Sequence, residues 1–179
     1  MAAPRSPAWN KAPFGNSYDA VARYSCSLPH FCDWIRRGTL QNFPRDPTLD
    51  ELFEAASAAR QNAYAPYSRF KVAASIRTPS GSIYCGVNVE SASFPVGTCA
   101  EAGAIAAMAL AGERVIAEIL IVGDGDALVT PCGACRQRIF EFAGGGDPRV
   151  HVAGPGGVRT SFSLRLLLPH AFGPNLMPP

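Results

Sequence analysis

Between residues 47 and 154 the apolar positions change period several times, and each change marks an element. TLDE, residues 48–51, has the Ser/Thr-x-x-Glu form of a capping box, and Leu49, Leu52, Phe53 and Ala56 follow at helical spacing. This predicts a helix from Thr48 to about Ala63. FKVAASIRT and SIYCGVNV then flank Pro79-Ser80-Gly81, a turn signal, and read as the two strands of a hairpin. CAEAGAIAAMALAG is alanine-rich and closes on Gly112, which predicts a helix from Cys99. EILIVG reads as a buried strand, CRQRIFEFA as a second interior helix stopped by Gly144, and RVHVAG as another strand. The order helix, hairpin, helix, strand, helix, strand predicts an α/β fold with a mixed sheet sandwiched between helices.

The stretch before Thr48 differs. Residues 1–46 are rich in Pro, Ser and Asn and read as a loosely ordered extension. One short helix is expected in it, with Ser27 as cap, Leu28, Phe31, Cys32 and Ile35 at helical spacing, and Gly38 as stop. An arginine-bearing targeting segment fits less well, because Asp19 and Asp33 interrupt it.

Composition narrows the class. A chain of 179 residues suits one compact domain, placed here at residues 47–179. With 17% charged residues and a formal charge of +2 there is no broad basic face for a polynucleotide. No apolar run reaches the roughly 18 residues that cross a bilayer, and no secretory segment opens the chain, so a soluble cytoplasmic protein with reduced thiols is expected.

The thiols carry the candidate chemistry. Cys99 opens one predicted interior helix and PCGACRQ, residues 131–137, opens the other. Free N–H groups and the positive dipole end at a helix start favour thiolates, and each start follows a strand at a sheet edge. Cys132 and Cys135 share a face of the first turn, and Cys99 adds a third sulfur. Taken alone, the Cys132/Cys135 pair reads better as a redox pair or half of a structural zinc site. Three ligands with an open fourth position, and no second Cys-x-x-Cys to close the site, point to catalytic zinc instead. Glu101, in the same first turn as Cys99, can shuttle a proton beside the metal. Cys85 reads as a core residue, and His30, His151 and His170 as histidines without convergent partners.

TCAEAGAIAAM followed by PCGACRQ resembles the Cys-Ala-Glu and Pro-Cys-x-x-Cys motifs of the small, homotetrameric cytidine deaminases. The likeness runs on through NAYAPYSRFKVAAS, GVNVESASFPVG and LLLPHAF, and so covers all but the N-terminal extension and the last few residues. It implies a three-layer α/β/α sandwich around a mixed, about five-stranded sheet. It also implies zinc on Cys99, Cys132 and Cys135, with Glu101 as acid/base. Phe70 would pack on the pyrimidine, Asn88 and Glu90 would take the ribose hydroxyls, and Val89 and Ala100 would complete the substrate site. Phe70 taken alone reads as packing, as does Phe172, which by the resemblance reaches a neighbouring subunit's site. Arg136 and Gln137 would support the metal ligands from behind, with Arg136 hydrogen-bonded to the thiolates. Ala102 departs from the pattern, since many relatives carry a second arginine there. The implied reaction is hydrolytic deamination of cytidine and deoxycytidine, in the cytoplasm, by a homotetramer with shared sites and no organic cofactor. A deaminase of another aminopyrimidine nucleoside and a non-catalytic zinc module are the alternatives; balanced charge disfavours nucleic acid as substrate.

Overall fold

A computed structural model describes residues 47–173 and 176–177 of the chain. The expected extension over residues 1–46, with its short helix and with Cys26, His30 and Cys32, lies outside the described residues. Helix α1 spans Pro47–Arg60 and is followed by β1, Val72–Arg77, and β2, Ile83–Val87. A single 3-10 turn at Phe94–Val96 leads into α2, Ala100–Leu110. Then come β3 at Glu118–Gly123, α3 at Gly133–Glu141, β4 at Arg149–Gly154, β5 at Gly157–Ser163 and a one-turn α4 at Leu164–Leu167. None of the described helices is long and apolar enough to cross a membrane.

The sheet has the order β2-β1-β3-β4-β5. It is mixed: β3 and β4 pair in parallel, while the other three pairings are antiparallel. β1 and β3 are covered on both faces, which is why VAASIR and EILIVG read as nearly unbroken buried runs. Alternation divides them between two cores. Ala74, Ile76, Ile119 and Ile121 pack against α2 and α3 with Ala104, Met108 and Ile139, while Ala73, Leu120 and Val122 pack against Leu52 and Ala56 of α1. Ser75 faces α1 as well, and its hydroxyl donates to the Leu52 carbonyl at 2.8 Å. The expected three-layer sandwich is therefore the observed architecture, with α1 on one face and α2, α3 and the one-turn α4 on the other.

Three details depart from the sequence reading. α1 starts at Pro47, one residue before the proposed cap Thr48, and proline suits the first position because the N–H it lacks would have no partner there. β5 was not legible as a strand; GVRTSFS lies at the sheet edge with a half-exposed, mostly polar lining, so it carries little apolar alternation. His151 has partners after all: its Nδ1 lies 2.7 Å from Ser161 Oγ and its Nε2 3.1 Å from Glu118 Oε2. Glu118 also accepts from Arg77 Nε at 2.9 Å, so a polar row crosses four strands. The hydrogen bond from His151, then that from Arg77, holds the Glu118 carboxyl below its ordinary range.

One contact seats α2 on the sheet. A Cβ on Gly86 of β2 would lie 2.1 Å from the Ala104 backbone nitrogen and 2.4 Å from the Ala100 carbonyl oxygen. Only a residue without a side chain at Gly86 lets strand and helix backbones meet so closely; the Cβ position of the facing Gly103, 3.4 Å from the Gly86 Cα, is at ordinary contact distance. The start of α2 is thereby pinned at the sheet edge.

Candidate active site

Two helix starts face each other. Cys99 is the cap residue of α2 and Cys132 that of α3, both with extended backbone; the Cys99 side chain makes no bond to its own helix, and within α3 the Cys132 sulfur meets only Cys135 of the first turn, at its N–H and its thiol. Both thiols are thus available in front of the helix ends. Cys135, in the first turn of α3, is fully buried. The Sγ atoms of Cys99, Cys132 and Cys135 all lie within 4.8 Å of one another, and those of Cys99 and Cys132 are 3.9 Å apart. Tetrahedral zinc with Zn–S bonds of about 2.3 Å sets its sulfurs about 3.8 Å apart. The triad fits that ion with minor adjustment.

The protonation of the three sulfurs supports the same conclusion. Burial pushes the Cys135 thiol far above its ordinary value, and the charges of Glu101 and Cys99 push the same way. Cys99 is raised too, again first by burial. At Cys132 burial acts upward but is outweighed by hydrogen bonds from the Cys135 backbone N–H and from the neighbouring thiols, so this sulfur ionises more easily than usual. Three crowded, partly desolvated sulfurs cannot all carry charge unless a cation joins them. Glu101 lies in the first turn of α2 and is only 4% exposed, close enough for its charge to oppose ionisation of all three thiols.

Beside Cys99 opens a cleft of about 530 Å³. Asn88, Val89 and Glu90 line it together with Tyr67, Ser68 and Phe94. Val89 is held by reciprocal backbone bonds with Thr98, next to Cys99, while Tyr64 pairs with Asn88 and Glu90 on either side. This short ladder ties the sugar-binding candidates to the start of α2.

The model of the cytidine and deoxycytidylate deaminase zinc-binding region matches residues 47–152. A cytidine deaminase of Halalkalibacterium halodurans is 38% identical over 121 residues, covering 68% of this chain and 91% of the relative. The crystal structure of the cytidine deaminase from Burkholderia pseudomallei shares 42% identity at a TM-score of 0.64, over 69% of this chain and 98% of that one. The enzyme from Mycobacterium leprae follows with 36% identity and a TM-score of 0.58, over 68% and 97%. The chain belongs to the cytidine deaminase family.

Within that family frame, the remaining candidates fall in different places. Ala100, the first residue of α2, is buried in the core and does not line the cleft. Phe70 and Phe172 are 38% and 56% exposed, and neither lines the cleft of this single chain. Arg136 is a correction. Its Nε donates to the Pro131 carbonyl at 2.8 Å, its Nη1 to the Leu167 carbonyl at 2.8 Å and its Nη2 to Thr130 Oγ1 at 3.1 Å. None of its hydrogen bonds ends on a cysteine sulfur. A fork with several donors is better used on carbonyls than on a weak sulfur acceptor, and here it braces the turn that carries Cys132. Gln137 Nε2 donates to the Phe172 carbonyl at 2.8 Å, so the two residues that follow Cys135 both grip the C-terminal segment. The sequence reading assigned no role to Tyr67, Ser68 or Phe94, although all three sit in the YSRF and SASFPVG segments that carry the family likeness.

Proposed function

We propose that this chain hydrolyses the exocyclic amine of cytidine and deoxycytidine, giving the uracil nucleoside and ammonia. The observation that carries the proposal is the convergence of three sulfurs within 4.8 Å at two helix starts, with buried Glu101 in the first turn of one of them. Cys99, Cys132 and Cys135 would hold zinc, which supplies the acidity that lets water attack a ring carbon at neutral pH. Glu101 accepts a proton from that water and passes it to the ring nitrogen beside the attacked carbon; it then takes the remaining proton of the added hydroxyl and delivers it to the amine, which departs as ammonia while the ring carbonyl forms. Burial suits this task, since proton transfer in a water-poor pocket is not diverted to solvent. The two helix N-termini offset the excess negative charge of three thiolates.

Asn88 and Glu90 take the sugar hydroxyls, with Val89 between them so that both side chains point to one side of extended backbone. Phe70 stacks on the pyrimidine. The exposure of Phe172, Phe94 and Val96 supports a homotetramer in which neighbouring subunits cover these side chains and Phe172 enters another subunit's site. The need of this centre for reduced thiols supports a cytoplasmic location.

The test combines zinc quantitation with ammonia release across a panel of nucleosides and free bases. About one zinc per chain and rapid turnover of cytidine are expected, with free cytosine a poor substrate because Asn88 and Glu90 lose their partners. Zinc binding without ammonia release from any aminopyrimidine nucleoside would leave a non-catalytic zinc module as the correct reading.

A further inference from the structure

Ser68 is placed to set the geometry of the sugar-binding end of the cleft, a role that rests on the function proposed above. Its hydroxyl donates to Glu90 Oε1 and at the same time accepts the Phe70 backbone N–H at 3.0 Å. The N–H groups of Tyr67 and Ser68 donate to Glu90 Oε2 at 2.9 and 3.1 Å. From the other side, Asn88 Nδ2 donates to the Phe70 carbonyl at 2.9 Å, and Asn88 Oδ1 accepts the Val72 N–H at 2.9 Å. Both polar groups of the Phe70 backbone are thus tied to residues that contact or are the sugar ligands. Between Ser68 and Phe70 the chain passes through Arg69 at a φ of 58°, a left-handed conformation that a non-glycine residue holds only when its surroundings impose it.

Counting donors and acceptors shows what is left for a ligand. A carboxylate offers about four acceptor sites, and the loop occupies three on Glu90. An amide offers two donors and two acceptor sites, and one of each is used on Asn88. One acceptor on Glu90, with one donor and one acceptor on Asn88, matches a pair of vicinal hydroxyls.

We propose that Ser68 is a positioning residue that fixes both the Glu90 carboxylate and the Phe70 backbone, so that sugar ligand and ring platform are set as one preorganised unit. Only a hydroxyl can donate to one and accept from the other at this position. Threonine retains that chemistry and alanine does not.

The test uses the full chain with zinc. Ser68→Ala raises KM for cytidine about tenfold while kcat stays within about threefold, and KM for 2′,3′-dideoxycytidine, which keeps the ring contact but lacks the hydroxyls, rises by a clearly smaller factor, about half as much on a logarithmic scale. Ser68→Thr returns KM for cytidine to within about threefold of the parent. Equal loss for both nucleosides, no loss in Ser68→Ala, or no rescue by Thr overturns the assignment. A second readout needs no turnover: hydrogen exchange of the Phe70 amide runs at least about tenfold faster in Ser68→Ala than in the parent or in Ser68→Thr. Equal exchange rates overturn the clamp whatever the substrate turns out to be. A parent enzyme that deaminates no nucleoside, yet shows the exchange difference, overturns the functional reading and keeps the clamp.

Discussion

The two ends of the candidate site are built by different means. At the metal end, the sulfurs stand on helix starts that are packed into the core, with Cys135 fully buried and α2 seated through the Gly86 contact. At the sugar end, exposed residues of a loop are held by hydrogen bonds to Asn88 and Glu90. Each end is therefore vulnerable to a different kind of loss. Packing should govern metal retention, whereas polar partners should govern substrate affinity.

The largest effects belong to the metal end. Cys99→Ala or Cys135→Ala should lose zinc and with it turnover, as metal analysis of the purified protein would show; full zinc retention in Cys99→Ala contradicts the ligand set. Glu101→Gln should keep about one zinc per chain yet lose activity by about 100-fold or more, because an amide shuttles no proton.

Gly86→Ala probes the metal end without touching a candidate ligand. The new methyl meets backbone atoms of Ala100 and Ala104, which cannot swing aside, so α2 must retreat and carry Cys99 with it. A loss of about 1–3 kcal/mol in denaturant unfolding is expected, together with weaker zinc binding and an unchanged KM per active, zinc-loaded site. Unaltered zinc affinity would break the link between packing and the metal end.

Arg136→Gln tests the brace behind Cys132. Removing its bonds to Pro131, Leu167 and Thr130 should lower zinc affinity by about tenfold. If Arg136 acted by neutralising the thiolates, adding Ala102→Arg would recover the loss. If it acts as a brace, as its contacts indicate, the double variant should remain as weak as the single one in competitive zinc titration.

The smallest effect lies far from both ends, in the polar row across the sheet. Glu118 is held below its ordinary value of about 4.5, so its ionised form is favoured by folding. Its contribution is complete above that value and disappears as pH falls through the lower, folded-state value. Urea midpoints should therefore drop more steeply between about pH 5 and about pH 3 in the parent than in Glu118→Gln. Parallel curves would show that the row is solvated.

The sequence alone was enough for the elements whose apolar residues repeat strongly. β1, β3 and α2 lie within the predicted runs, and α1 and α3 differ only at their ends, because burial on one or both faces writes a clear period. The pairing of Cys99 with Cys132 and Cys135 was also legible, since helix starts are marked locally and the motifs state the spacing. β5 escaped because an edge strand with little buried surface needs no apolar alternation. The partners of His151 escaped because Glu118 and Ser161 reach it from other strands, 33 and 10 residues away in sequence.

Hydrogen-bond direction was decided only by the tertiary structure. Nothing local says whether the Arg136 guanidinium turns toward sulfur or toward the Pro131 and Leu167 carbonyls, because Leu167 is 31 residues away. Nor does the spacing of Ser68 and Glu90, 22 residues apart, announce that one hydroxyl ties the carboxylate to the Phe70 backbone. Residue types and periods report what a side chain must bury, which is a property of short stretches. Which distant partner satisfies a polar atom depends on the packing of the sheet and helices, and that exists only once the chain has folded.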